Sequence, residues 1–291
     1  MQDFLSTPKV LREHYRNCRR MRALLARYDS ERLRNLYWYA MTIHRAASLS
    51  GFLRVATAYL RRARQNVVAN YYGAGTLYWA APHGDGLDAP ALTVWTCRGL
   101  ETTPWHANDD VWARRLAAGF DAILADYRKV EQRRRPNPAS AVDVDLGRWD
   151  NIFLTDVHGR INAEFEAECR DTYAVISDFP LCTNFGFAFF SETAPDTHIK
   201  AHTGGSNLRL RYHLPLDVKQ PEHNRMRIGK EIRSWTEGKV TVFDDSFDHE
   251  VWNDGQTRRT LLIVDLWHPS LSDSDIACLS DPLFNRFGKI D

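Results

Sequence analysis

The chain has 291 residues, of which 44% are hydrophobic, 12% aromatic and 26% charged; this composition excludes disordered, collagen-like and low-complexity classes. No apolar run approaches the roughly 20 residues that span a bilayer. Five cysteines (Cys18, Cys97, Cys169, Cys182, Cys278) with no CxxC spacing argue against a disulfide framework or a thiolate zinc site. The chain start lacks the basic-then-apolar order of a signal peptide, so a cytoplasmic protein is expected.

The net charge of +1 conceals a division. Residues 1–70 carry 14 Lys and Arg against 4 Asp and Glu, whereas the remainder is net acidic. Apolar residues in 1–70 recur at three and four (Leu11, Tyr15, Cys18; Leu33, Leu36, Tyr39), and this spacing predicts helices. A helix over about 50–68 would carry Arg54, Arg61, Arg62 and Arg64 outward. The Gly-rich stretch 72–88 reads as loop and connector. Residues 1–99 are therefore expected to form a basic helical N-terminal region with its connector, packed on a second domain over 100–291.

That second domain opens with an amphipathic helix over 111–130, ended by Arg133-Arg134-Arg135-Pro136. From Trp149 the period changes from 3.6 to 2, with strands expected at 151–155, 185–192, 197–202, 207–216, 231–235, 239–243, 248–252 and 259–267. A helix over about 164–176 interrupts them, and a polar tail follows Ser270. Eight short strands imply a jelly-roll or sandwich, mainly β in its core and α+β by content.

Within the strand at 207–216, Leu208, Leu210, Tyr212, Leu214 and Leu216 alternate with Arg209, Arg211 and His213. One face is core and the other cationic. Alternation alone fits either a solvated surface or an anion-binding interior. His198 and His202 stand four apart on the preceding strand, and His249 lies about fifty residues further on. Ten residues later comes Arg259, in a strand that also offers Asp265 as an internal salt-bridge partner. Histidines on separate strands suit a metal such as Fe(II), and an arginine fork suits a carboxylate. Asp244 and Asp245 read as turn formers with Ser246, and Trp235, Trp252 and Trp267 as core or pocket wall.

Three runs in order now carry a resemblance: His202-Thr-Gly-Gly-Ser-Asn-Leu-Arg-Leu-Arg-Tyr-His213-Leu; Gly238-Lys239 through Phe243-Asp-Asp-Ser-Phe247 and His249-Glu-Val-Trp252; and Val264-Asp-Leu-Trp-His-Pro269. Over about 100–270 the chain resembles the aspartyl/asparaginyl β-hydroxylase family of Fe(II)/2-oxoglutarate-dependent oxygenases. The resemblance implies a double-stranded β-helix with His202 and His249 as the iron ligands and with Ser191, Arg211, His213 and Arg259 contacting 2-oxoglutarate. Gly204 stands where most such enzymes have a third, carboxylate ligand, and this branch is known for a two-histidine site.

The implied activity is hydroxylation of an unactivated carbon, most simply of an amino acid that is free, carrier-bound or peptidyl. It would require Fe(II) and 2-oxoglutarate, with ascorbate helpful as reductant. Arg209, left over once the two cosubstrate carboxylates are matched, is expected to pair with a substrate carboxylate, and His198 to serve as a further substrate contact. Partners would be that amino-acid substrate and conceivably a carrier protein, with no membrane span and no nucleic acid. The rival reading is a metal-binding jelly-roll whose basic helical segment docks on nucleic acid or an anionic carrier.

Overall fold

The computed structural model describes residues 100–273 except Val157, Asn184, Gly205 and Ser206, together with 71–72, 78–80, 87–88, 96–97, 276 and 280. Two compact units divide the chain: Met1–His83 with Trp95–Leu100 and Ser270–Asp291, and Gly84–Val94 with Glu101–Pro269. The described part of the first contains a small antiparallel sheet of β1 (Tyr71–Tyr72), β2 (Tyr78–Ala80) and β3 (Thr96–Cys97). The stretch read as loop thus holds β2 and the end of β1; its aromatic residues supply strand propensity that the glycines conceal in sequence. The helices expected over 1–70 lie outside the described residues.

The second unit is built from β4 (Trp105–His106), α1 (Val111–Ala118), α2 (Phe120–Val130), β5 (Arg135–Pro136), α3 (Ser140–Asp143), β6 (Val144–Leu146), β7 (Trp149–Phe153), α4 (Arg170–Ile176), β8 (Ala188–Thr193), β9 (Thr197–His202), β10 (Arg209–Val218), β11 (Asn224–Ile228), β12 (Glu231–Ser234), β13 (Thr241–Phe243), β14 (His249–Asn253) and β15 (Arg259–Trp267). All strand pairs are antiparallel, in a seven-stranded sheet ordered β4-β13-β10-β15-β8-β7-β5 and a five-stranded sheet ordered β12-β11-β14-β9-β6. This is the expected jelly-roll.

The helix expected over 111–130 is two helices. Asp110 caps α1 by accepting the Trp112 and Ala113 N–H groups, both at 2.8 Å. Gly119 then divides α1 from α2, and a Cβ there would meet Val175 at 2.8 Å. The helix expected over 164–176 is confined to α4. The strand β11 escapes the hydrophobic pattern because Arg225 and Arg227 alternate with buried Asn224, Met226 and Ile228 just after Pro221.

Alternation along the seven-stranded sheet sorts two cores. Leu210, Tyr212, Leu214, Phe190, Ile152, Leu262 and Val264 pack with Leu116, Ile123 and Tyr127 of the helices. Phe189, Leu261 and Ile263 on the opposite face join Ile199, Met226, Val251 and Trp235 between the sheets. Residues of the same parity as this second set point into the barrel, and the site is built from them.

The helices are tied together by Asp126 of α2, which is fully buried and accepts both the N–H (2.8 Å) and the hydroxyl (3.0 Å) of Thr172 in the first turn of α4. Replacing Asp126 by Ala would orphan that buried N–H. A loss of about 1–3 kcal/mol is expected from urea unfolding, with Asp126→Asn retaining most of it through its remaining acceptor.

Candidate active site

His202 and His249 end β9 and begin β14 in direct register, with ring centroids 4.1 Å apart. Each presents its Nδ1 to a backbone carbonyl: Lys200 O at 2.7 Å from His202 and Phe247 O at 3.0 Å from His249. A carbonyl oxygen has no proton to give, so Nδ1–H donates in both rings and the Nε2 lone pairs are left for a metal. Burial first, and the nearby His202 second, push His249 down to about 3, which keeps it neutral over the physiological range. The donor set therefore fits a divalent iron. Among the described residues no group of three or more His, Cys, Asp or Glu is arranged to hold a metal.

A bulge explains which histidines pair. Between the His249–His202 and Val251–Ile199 partners, β9 advances three residues while β14 advances two. Ile199 and His202 thereby share the interior face despite their odd separation. The expectation that His198 shares a face with His202 is overturned: its Nδ1 meets Asp145 and its Nε2 meets Glu250, both at 2.8 Å, and its ring stacks on Trp252 at 5.6 Å. His198 belongs to the outer face, with Arg225 on the same tryptophan, and is no substrate contact within the barrel.

Around the histidine pair stands a set of buried polar groups. Arg259 is 2% exposed; its guanidinium lies 4.6 Å from the Trp235 ring and its Nε has no partner. Burial pushes it below the usual arginine range, with Glu192 the opposing influence. His213 is wedged between Trp235 (5.9 Å) and Phe243 (4.8 Å), and neither ring nitrogen has a partner. Burial, then Arg211 and Arg259, hold it neutral. One of its nitrogens is therefore a free donor. The Ser191 hydroxyl accepts the Trp149 indole N–H at 2.9 Å, so its own proton is available to a ligand.

Arg209 and Arg211 have a different fate. Arg209 Nη2 lies 2.5 Å from Asp245 Oδ2 and its Nη1 is 3.8 Å from Asp265. Arg211 donates from Nε (2.7 Å) and Nη2 (3.0 Å) to Asp265, with Nη1 3.4 Å from Asp245. Two guanidiniums and two carboxylates form a neutral, buried box. Burial pushes Asp245 up, and Arg209 and Arg211 more than reverse it, holding the carboxyl below its usual range. The unpaired Arg209 expected from sequence is thus corrected: two carboxylates from distant parts of the chain take up its charge. Asp245 is a box member rather than a turn former, whereas Asp244 does form the turn, its Oδ1 accepting the Ser246 N–H at 2.9 Å. Asp265 serves Arg211, not Arg259.

The same box explains Gly204. A Cβ at that position would lie 2.5 Å from the Asp245 carboxylate, whose backbone carbonyl accepts the Gly204 N–H at 2.6 Å. The place from which a third ligand would be suspended is filled by Asp245. Trp149, whose ring lies 6.5 Å from His202, and Asn151 are the interior residues that sequence reasoning missed. Their parity was legible once Ser191 was chosen, but nothing marked them as polar contacts.

The antiparallel sheets form a jelly-roll barrel whose interior holds a pair of histidines, and comparison with known proteins gives its family. The aspartyl/asparaginyl beta-hydroxylase family model matches residues 116–269, and the chain belongs to that family. The human aspartyl/asparaginyl beta-hydroxylase is 40% identical over 188 residues, covering 62% of this chain and 24% of that protein. The ornithine lipid ester-linked acyl 2-hydroxylase of Rhizobium tropici is 31% identical over 167 residues, covering 54% of this chain and 58% of its own length. Human aspartate beta-hydroxylase domain-containing protein 2 is 30% identical over 190 residues, covering 60% and 50%. The chain spans from about a quarter to just over half the length of these relatives.

Gly204→Asp should therefore cost stability through collision with Asp245 and give no gain in Fe(II) affinity, measured by thermal unfolding and metal titration. Tighter iron binding with unchanged stability would contradict the packing described. Arg209→Ala, which leaves the buried Asp245 undercompensated, should lower stability by about 3–5 kcal/mol in denaturant unfolding.

Proposed function

We propose that the protein is an Fe(II)/2-oxoglutarate-dependent dioxygenase that hydroxylates an unactivated carbon of an amino acid, free, carrier-bound or peptidyl, in the cytoplasm. The observation that carries this reading is the conjunction, within one barrel, of two histidines on one sheet with Nε2 atoms left for a metal and a buried guanidinium on the other without an ion-pair partner among the described residues. A structural metal would use the histidines and leave Arg259, His213 and Ser191 without a purpose.

His202 and His249 would hold the iron, with their tautomers fixed by the Lys200 and Phe247 carbonyls. Iron held there would, with 2-oxoglutarate and dioxygen, supply the oxidising chemistry: one oxygen atom would go to the cosubstrate as it is split to succinate and carbon dioxide, and the other to the substrate carbon. The chain contributes binding and shape. Arg259 would pair with a carboxylate of the dicarboxylic acid, Ser191 would donate its free proton to the same molecule, and His213 would donate from a neutral ring. Arg211 contributes to that wall with its charge shared between Asp245 and Asp265. The Trp149, Trp235 and Phe243 rings exclude water and strengthen each of these contacts.

Among the relatives, the names specify aspartyl and asparaginyl side chains in one case and a lipid acyl chain in another. Among the described residues no helix is long and apolar enough to cross a membrane. The amino-acid reading is favoured here by the polar lining around Ser191.

Protein supplied with Fe(II), ascorbate and 2-oxoglutarate should form succinate slowly without substrate and faster with the right member of an amino-acid and peptide panel. Charge-assisted hydrogen bonds contribute about 1.5–3 kcal/mol, so Arg259→Ala should raise KM for 2-oxoglutarate by about one to two orders of magnitude. His202→Ala and His249→Ala should show no turnover. An unchanged KM in the first variant would remove Arg259 from the cosubstrate site.

A further inference from the structure

His202 and His249 stand on adjoining strands of the five-stranded sheet, and a pair of ligands with no third protein group depends on those strands for its separation. The Lys200 and Phe247 carbonyls orient the two rings. They do not hold the strands together, and the bulge that turns His202 inward leaves β9 with one residue more than β14 over the stretch from Ile199 to His202. The paired ladder is therefore interrupted immediately before a ligand.

The outer face of the same sheet supplies a brace at that point. Glu250, the residue after His249, has its Oε1 2.8 Å from Nε2 of His198 on β9. Its Oε2 lies 3.0 Å from Nη2 and 3.2 Å from Nε of Arg227 on β11. Arg227 also reaches the residue before the ligand, with Nη2 2.5 Å from Asp248 Oδ1, and its Nη1 donates to Gly229 O at 2.8 Å. The Gly229 N–H in turn donates to Asp248 O at 2.9 Å. One guanidinium thus grips the chain on both sides of His249, and one carboxylate joins it to the strand that ends on His202. Glu250, Arg227 and His198 are all partly buried, so these charge-assisted contacts are less screened than at an open surface. The neighbouring pair of Arg225 and Asp254 lies past the far end of β14 and connects neither ligand.

We propose that Glu250 is a positioning residue for the metal site, fixing the separation of His202 and His249 from outside the barrel through Arg227 and His198. The inference rests on the reading of these two histidines as the metal site and adds to it a group that touches neither the metal nor its ligands' rings.

The test titrates the full chain with Co(II), whose visible absorption reports ligand geometry, and unfolds the metal-free forms by heat in parallel. Glu250→Ala should bind Co(II) about ten- to a hundredfold more weakly than wild type, the loss typical when a group supporting a ligand is removed, and should shift the absorption bands. Arg227→Ala should move both readouts in the same direction, and the combined Arg227→Ala and Glu250→Ala protein should be little worse than the weaker single variant, because both act through one brace. Arg225→Ala is the control for lost packing on this face: its metal-free Tm should fall while its Co(II) affinity and spectrum stay those of wild type. Should Glu250→Ala fail to fold, Glu250→Gln, which keeps the shape and one acceptor, decides, with a loss of about threefold or more expected and an unchanged affinity overturning the inference. Wild-type affinity and bands in Glu250→Ala, or an equal loss of affinity in Arg225→Ala, would reduce these contacts to support of the fold and overturn the inference alone. Wild type binding Co(II) no more tightly than the combined His202→Ala and His249→Ala protein would overturn the metal-site reading and the inference with it.

Discussion

The buried box of Arg209, Arg211, Asp245 and Asp265 is the constraint around which the site is organised. It joins β10, β15 and the turn between β13 and β14, three segments far apart in the chain. Four charges taken from water are tolerable only because each carboxylate meets two guanidiniums and the sum is neutral. Close approach by backbone is also needed. Gly204 lies against Asp245, and Gly186 lies against Asp265, whose Cβ would be 2.4 Å from any Cβ added there. The glycine after His202 thus has a packing reason independent of metal chemistry: a side chain at 204 would displace the acid that neutralises the arginines.

Neutrality of the box changes how the rest of the interior is read electrostatically. With Arg209 and Arg211 balanced, Arg259 is the buried cation near the histidines without an ion-pair partner among the described residues. It is cradled by Trp235 and opposed only by Glu192 at a distance. An anionic ligand entering this interior would therefore meet one positive charge that the protein itself leaves unbalanced.

Much of this was legible in the sequence, because it depends on alternation. The Leu and Arg alternation of β10 correctly separated the helix-facing core from the barrel interior, and the strand limits of β9, β14 and β15 follow from the same period. His202, His213, His249 and Arg259 all occupy the interior as their motifs implied. Legibility failed where parity was broken or where a partner came from afar. The extra residue in β9 reversed the side on which His198 lies, and no local pattern announces a bulge in a strand of Thr, His, Ile and Lys. Arg209 looked unpaired since Asp245 stands thirty-six residues away. In β11, two arginines disguise a strand whose other residues are buried.

The orphaned atoms within the barrel form a pattern that a purely structural role would not produce. Burial without hydrogen bonds affects Arg259 Nε, both nitrogens of His213 and both ends of Asn151, all on the interior face. On the helix-facing side of the same sheet, the buried Tyr127, Glu192 and Asp126 are bonded to one another or to close neighbours. On the interior face these open groups stand apart from the box of Arg209, Arg211, Asp245 and Asp265, whose charges are matched within the protein. The open groups beside the histidines are mostly donors, a distribution that suits an anionic ligand.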